Sequence, residues 1–347
     1  MPVSFAGRLL AWWDKNGRKD LPWQHPRTPY RVWISEIMLQ QTQVATVIPY
    51  FERWMESFPD IGSLAAASQD KILAHWAGLG YYARARNIQK TAAVCFEKYG
   101  GKLPTGADEL TALPGIGLST ANAIVSQSTD RPAAVLDGNV RRVLARHTAT
   151  EGWTGRSNVQ KKLWRIAEDN LPARRGADYT QAVMDLGAMV CLRSKPSCGE
   201  CPVSIDCRAL LENRIEELPS PKPPTRVSEV TVHMLVVRNR NGQVLLEKRP
   251  GAGIWGGLWC LPEGDSPQSI AEDLGFELAD KTALPPINHR LSHLKMTICP
   301  VLASPGKTTQ VQCNAERGWF DAEQQKGLGL PKPVLDLLKK MNNGELK

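Results

Sequence analysis

Leu113-Pro-Gly-Ile-Gly117, set between two segments of helical periodicity, is the stretch that decides the fold. The proline closes one helix. Two glycines then permit a turn tight enough to bring backbone N–H groups and the start of the next helix against a phosphate. Ser119 or Thr120 is placed to cap that second helix. Taken alone, the pentapeptide also fits an ordinary helix–helix turn, so the residues around it have to choose.

Downstream, Asp137 stands in Val135-Leu-Asp-Gly-Asn-Val140, directly ahead of a basic helix with Arg141, Arg142 and Arg146. An aspartate there is an N-cap, but beside a phosphate-binding turn it has a second use. Cleavage of an N-glycosidic bond passes through a cationic sugar, and a fixed carboxylate near C1′ stabilises that state more than the ground state. Glycosidases pair such a carboxylate with a second one that delivers a proton. Upstream, Glu36 is the candidate, in Val32-Trp-Ile-Ser-Glu-Ile-Met-Leu-Gln-Gln-Thr-Gln43. Trp33, Ile37 and Met38 surround it with apolar groups, which raise a carboxyl pKa toward neutrality. A helix is expected from Pro29 to Ile48, interrupted by Pro49, with Glu36, Gln40 and Gln43 on one face. The ordinary alternative is a solvated helical glutamate.

Further along, four cysteines read Cys191-x6-Cys198-x2-Cys201-x5-Cys207, in a stretch that also holds Pro196 and Pro202. Four soft thiolates suit zinc or an iron–sulfur cluster. Zinc sites usually use two short pairs, and only Cys198 and Cys201 form one here, so the spacing favours a cluster. Disulfides are disfavoured because nothing in the chain points to an oxidising compartment. Cys95, Cys260, Cys299 and Cys313 are scattered singly and read as buried thiols.

The chain of 347 residues has room for two cores, and no apolar run in it approaches a bilayer span. Its start reads as an amphipathic helix with Phe5, Leu9, Trp12 and Trp13, not as a signal peptide, so a cytoplasmic, reduced protein is expected. A net charge of +8 favours a polyanionic partner such as nucleic acid. Helical segments fill the chain to about residue 215, and Leu218-Pro-Ser-Pro-Lys-Pro-Pro-Thr-Arg226 is a stiff, extended linker. Beyond it, Val230–Val237 and Val244–Lys248 flank Arg238-Asn-Arg-Asn-Gly-Gln243, which predicts a hairpin. Lys295–Leu302 and Trp319–Phe320 are further strands, and Val334–Met341 is a closing helix.

The pentapeptide, an aspartate 20 residues past its last glycine, and the cysteine run together resemble the helix–hairpin–helix iron–sulfur DNA glycosylases. Within them the chain is similar to the adenine DNA glycosylases, through residues 32–46, Gly78-Leu-Gly-Tyr-Tyr-Ala-Arg-Ala-Arg-Asn87 and Met184-Asp-Leu-Gly-Ala-Met189. The likeness runs along essentially the whole chain. It implies a mainly α helix–hairpin–helix catalytic domain over 1–217 with a cluster loop at 191–207, and a Pro-rich linker over 218–228. A smaller α+β Nudix (MutT-like) domain follows over 229–347.

The implied activity is excision of adenine mispaired with 8-oxoguanine, or with guanine, in double-stranded DNA. By the same resemblance Glu36 protonates the base at N7 and later assists water, Asp137 stabilises the oxocarbenium ion, and Asn139 helps beside it. Gln41 and Tyr81 fill or wedge the base stack; Leu113, Gly115, Gly117 and Ser119 belong to the DNA-binding set. Cys191, Cys198, Cys201 and Cys207 hold one 4Fe-4S cluster.

Ser119 occupies the position where endonuclease III-type relatives carry a Schiff-base lysine. That implies a monofunctional enzyme; the alternative is a bifunctional glycosylase and lyase on oxidised pyrimidines. Gly253-Ile-Trp-Gly-Gly-Leu-Trp-Cys-Leu-Pro262 carries the Nudix likeness, yet Ser269-Ile-Ala-Glu-Asp-Leu-Gly275 lacks the acidic helix of a magnesium-dependent hydrolase. The implied role of this half is to read 8-oxoguanine through Ser292 and His293, with Leu291 where the family often has Phe. A monomer with no membrane partner is expected.

Overall fold

The computed structural model describes residues 4–224, 227–291, 294–305 and 313–346; Ser292 and His293 lie outside them. The chain divides into two compact units, Met1–Ala66 with Lys90–Pro224, and Ala67–Gln89 with Thr225–Lys347. Among the described residues no helix is long and apolar enough to cross a membrane.

Helices α1 (Phe5–Asn16), α2 (Pro29–Leu39), α3 (Val44–Ser57) and α4 (Ile61–Ala66) open the chain. α5 (Gln69–Trp76) and α6 (Ala83–Lys98) follow, then α7 (Ala107–Thr111) and α8 (Leu118–Thr129) around the glycine turn. α9 (Gly138–His147), α10 (Ser157–Asp169), α11 (Gly176–Asp185) and the short α12 (Arg208–Leu211) complete the helical half. Leu9, Leu136, Leu144, Leu163, Ala182 and Leu186 form a solvent-free centre of the first unit. Asp185 lies wholly inside, yet every lone-pair direction has work: it accepts from Trp13 Nε1 (3.1 Å), Gln181 Nε2 (2.8 Å), and the Arg18 amide and guanidinium (2.9 and 2.6 Å). Such a buried carboxylate is tolerated because its charge is both paired and hydrogen-bonded.

Two local expectations change. The helix opened by Pro29 ends at Leu39, and Gln41 sits in the left-handed region (φ 60°) before α3 begins. Gln40 and Gln43 therefore do not continue the face of Glu36. Pro49 lies inside α3 and does not end it. It and Ala45, whose carbonyl loses its N–H partner there, are exposed, so water can satisfy that carbonyl. At the turn, Leu113 and Ile116 are buried and Gly115 takes φ 79°, but α8 is capped by Gly117 without a side-chain bond. Ser119 does not cap; its Oγ accepts from the Leu136 N–H at 2.9 Å.

In the second unit β1 (Ser228–Val237) runs parallel to β7 (Leu294–Pro305), with β4 (Glu263–Gly264) on its other edge. β5 (Leu278–Ala283) and β6 (Ile287–Arg290) pair antiparallel with β7. A smaller sheet is ordered β3 (Trp259–Cys260), β2 (Val244–Lys248), β8 (Arg317–Phe320). The Asn-Gly turn forms, with Asn239 N–H bonded to Gln243 O (3.0 Å) and Gly242 at φ 77°. Beyond an Arg238–Val244 bridge the strands it joins nevertheless part into different sheets, β1 pairing along its whole length with β7 and at His233 and Met234 with β4. Helix α13 (Pro267–Leu274) lays Ile270, Ala271 and Leu274 on Leu235, Val237 and Val301. α14 (Ala322–Lys326) and α15 (Lys332–Asn342) end the chain.

Residues 67–89 pack within this unit: Tyr82 OH donates to Leu330 O (3.2 Å), and Lys248 pairs with Asp70 (2.7 Å). Cys95 and Cys260 are buried as expected, whereas Cys299 is half-buried and Cys313 exposed.

Candidate active site

α2 is buried on nearly every side by Val32, Trp33, Ile34, Ile37 and Met38, and Glu36 is its one acidic residue. The partner that meets Glu36 comes from α8, 91 residues on: Gln127 Nε2 donates to Glu36 Oε1 at 3.0 Å. Burial, seconded by the charge of Asp137, pushes the Glu36 carboxyl up to about 7, against the Gln127 hydrogen bond. An acid so placed keeps its proton near neutrality and can deliver it.

Asp137 caps α9, accepting from the Val140 N–H at 2.7 Å. Burial raises its pKa too, opposed by the Val140 and Asn139 N–H groups and by Arg142 and Arg141. The cap and the charge are thus one feature, since the cap holds the carboxylate at the helix start. The strand leading to it is tied to α8 twice, by Ser119 Oγ at Leu136 N and by Asn122 Nδ2 at Ala134 O (2.7 Å).

Asn139 lies half-buried two residues on, its Oδ1 accepting from Arg142 Nη2 at 2.9 Å. The Arg142 guanidinium reaches further, to Gly187 O (2.6 Å) and Cys191 O (2.7 Å). Arg146, almost wholly buried, donates to Leu192 O (2.6 Å), Arg193 O (3.0 Å) and Leu218 O (2.7 Å). The basic helix is therefore turned inward, tying the Asp137 end of α9 to the cysteine loop. α11 runs into a π-helical turn, Leu186–Val190, that approaches Asn139 so closely that a Cβ on Gly187 would stand 2.6 Å from Asn139 Cβ. Gln127 and Asn122 carried no signal in the sequence, and Arg142 and Gly187 stood out only as members of a basic helix and a family stretch. Each becomes informative only when its distant neighbour is known.

Cys191, Cys198, Cys201 and Cys207, all half-buried and unbridged, line a single pocket with Arg146, Val190 and Val203. Among the described residues no three His, Cys, Asp or Glu side chains converge as for a single metal ion. Burial pushes the Cys201 thiol up to about 11 and raises Cys198 and Cys207 as well. Thiolates there would need cationic partners.

Of the other expected site residues, Gly117 is exposed, and a Cβ on it would meet nothing within 4 Å. The fold itself does not demand that glycine. Gln41 (φ 60°) and Tyr81 (φ 49°, 48% exposed) each hold a left-handed backbone unusual for their type. The Tyr81 turn is held by Arg84, stacked on Trp76 and Tyr81 and donating to Leu79 O (3.0 Å) and Gly80 O (3.1 Å). His289 stacks against Trp255 just ahead of the undescribed Ser292 and His293.

Residues 34–169 match the HhH-GPD superfamily of base excision DNA repair proteins, and residues 233–340 match the NUDIX domain. An adenine DNA glycosylase of Buchnera aphidicola subsp. Baizongia pistaciae is 37% identical, covering 97% of this chain and 96% of its own. The human adenine DNA glycosylase is 36% identical over 75% of this chain and 57% of its own. Among solved structures, a thermostable thymine-DNA glycosylase aligns with a TM-score of 0.55 and 28% identity, over 60% of this chain and 95% of that one. A non-covalent endonuclease III–DNA complex aligns at 0.52 and 25%, over 60% and 94%.

Proposed function

The chain belongs to the adenine DNA glycosylases of base excision repair, and on that premise we propose that it removes adenine paired with 8-oxoguanine or guanine in duplex DNA, without cutting the strand. The observation that carries the chemistry is the carboxyl pair: Glu36, held protonated near neutrality, and Asp137, held at a helix start among opposing arginines. Glu36 gives its proton to adenine N7, the C1′–N9 bond breaks with its electrons passing to the base, and Asp137 stabilises the sugar cation left behind. Water then adds to C1′ and returns a proton to Glu36. Asn139, fixed by Arg142, stands beside Asp137 on the same helix turn.

The exposed Gly115 and Gly117, with buried Leu113 anchoring the turn, bind the DNA backbone, and Gln41 and Tyr81 enter the stack while adenine is turned out. The Ser119 hydroxyl is bonded to the Leu136 amide and offers no amine for a Schiff base, which supports the monofunctional reading. Cys191, Cys198, Cys201 and Cys207 would hold one 4Fe-4S cluster: four thiols line one pocket, and irons would supply the positive charge those thiols lack. In the catalytic half, residues 1–217, these four cysteines with a cluster bound would fasten the loop that Arg142 and Arg146 join to α9. After the linker at 218–228, residues 229–347 read the oxidised base through Ser292 and His293; α13 carries only Glu272 and Asp273, both exposed, as acidic residues.

Single-turnover excision on duplexes with adenine opposite 8-oxoguanine, guanine, cytosine and thymine tests the reading, with borohydride trapping alongside. Excision should be fastest opposite 8-oxoguanine, then guanine, with strands intact until alkali and little trapped adduct. Equal rates on all four duplexes would contradict the mispair assignment, and efficient trapping would contradict the monofunctional one.

A further inference from the structure

Resting on the reading of Glu36 as acid and base, we propose that Gln127 is a switchable positioning residue for it. Its amide donates Nε2–H to the ionised carboxylate and, turned over, accepts the proton of the neutral acid on Oε1. Gln127 is 3% exposed on α8, its Nε2 stands 3.0 Å from Glu36 Oε1, and its own Oε1 is buried with no hydrogen-bond partner among the described residues. An unmet buried carbonyl is costly, so burial alone would favour a hydrocarbon at this position. An ionised carboxylate only accepts, whereas a protonated one must also donate. A lysine or arginine could serve the first state alone. A primary amide serves both, because a half-turn about its last bond exchanges oxygen and nitrogen with almost no change of shape.

The charges around Glu36 leave this task to Gln127. Arg31, on the same helix, donates to Pro22 O, and the charged residues of α3, Glu52, Arg53 and Glu56, are exposed to solvent. Among the described residues Asp137 is the charge that acts on Glu36, and it is itself faced by Arg141 and Arg142. Burial and Asp137 favour the protonated acid, and the Gln127 donor opposes them. Gln127 thus keeps the ionised form within reach for the second half of the reaction.

The test is the pH dependence of single-turnover excision by the full chain carrying Gln127→Leu or Gln127→Met, beside Glu36→Gln. Rates of the unaltered protein should fall as pH rises through the titration of Glu36. Without Gln127 the bonds to both forms are lost, but the one to the ionised carboxylate is worth more than the one to the neutral acid, so that limb should move up by about one pH unit. A limb left at its original pH, whether or not the rate drops evenly, overturns the proposal. The unbranched methionine is read should the leucine variant misfold. In the unaltered protein, the Gln127 side-chain amide resonances should titrate with the same midpoint, and resonances indifferent to pH overturn it as well. Full activity in Glu36→Gln would instead sink the role of Glu36 itself.

Discussion

Glu36 destabilises the fold for as long as it is charged. Its pKa of about 7 lies above the roughly 4.3 of an unfolded glutamate, so the native state holds this proton more tightly. The associated stability is fully present below about pH 4 and is lost as pH rises through 7. Glu36→Gln removes the titration while keeping the shape. The variant should therefore melt higher than the native protein at pH 8, by up to about 3 kcal/mol in stability, and about equally at pH 4. It should also lose excision, since the proton source is gone. Melting curves that differ by the same amount at both pH values would contradict the buried-acid assignment.

At the scale of elements, the start of α9 is the hinge of the site. It carries Asp137 as its cap, receives Arg142 as a strut to the cysteine loop, and lies against the π-helical turn 186–190. The contact depends on one absent side chain. A Cβ on Gly187 would meet Asn139 Cβ at 2.6 Å and its backbone at 3.1 Å, and neither can yield without moving the helix that bears Asp137. Gly187→Ala should keep its helical content yet lose at least an order of magnitude in single-turnover rate, while duplex binding falls much less. That split follows from the proposed role of Asp137, which acts on the transition state more than on binding. A variant with native rates would mean that the turn and α9 can part without disturbing Asp137.

For the whole molecule, the chain does not divide in space where the prolines suggest. Residues 67–89, on the N-terminal side of the linker, cluster with the residues beyond it, through Tyr82 to Leu330, Asp70 to Lys248, and Gly329, on which a Cβ would stand 2.6 Å from Leu73 Cβ. A chain ended at Pro224 keeps Glu36, Asp137 and the four cysteines but uncovers Leu73 and Tyr82. Amide exchange over 69–89 should accelerate strongly in it, while 118–147 stays protected. Its excision rates opposite 8-oxoguanine and guanine should also draw together. Unchanged protection over 69–89 would mean that this segment folds without the second unit.

Everything the sequence determined here is short-range: Asp137 capping α9, Gly115 turning between α7 and α8, the Asn239–Gln243 turn, and the cysteine spacing that brings four thiols to one cavity. Each depends on a few neighbouring dihedrals or on chain length between ligands, which local residue types largely dictate. Glu36 was legible as a misfit, one acid in an apolar helix, but the face drawn for it with Gln40 and Gln43 was not what formed. Tertiary structure alone brought Gln127 to it across 91 residues, turned Arg142 and Arg146 inward, set Gly187 on Asn139, and laid β1 beside β7 instead of its hairpin neighbour. Period and composition say that a face is buried, not against what; that choice belongs to the packing of the whole, where a few ångströms between distant residues decide which contacts exist.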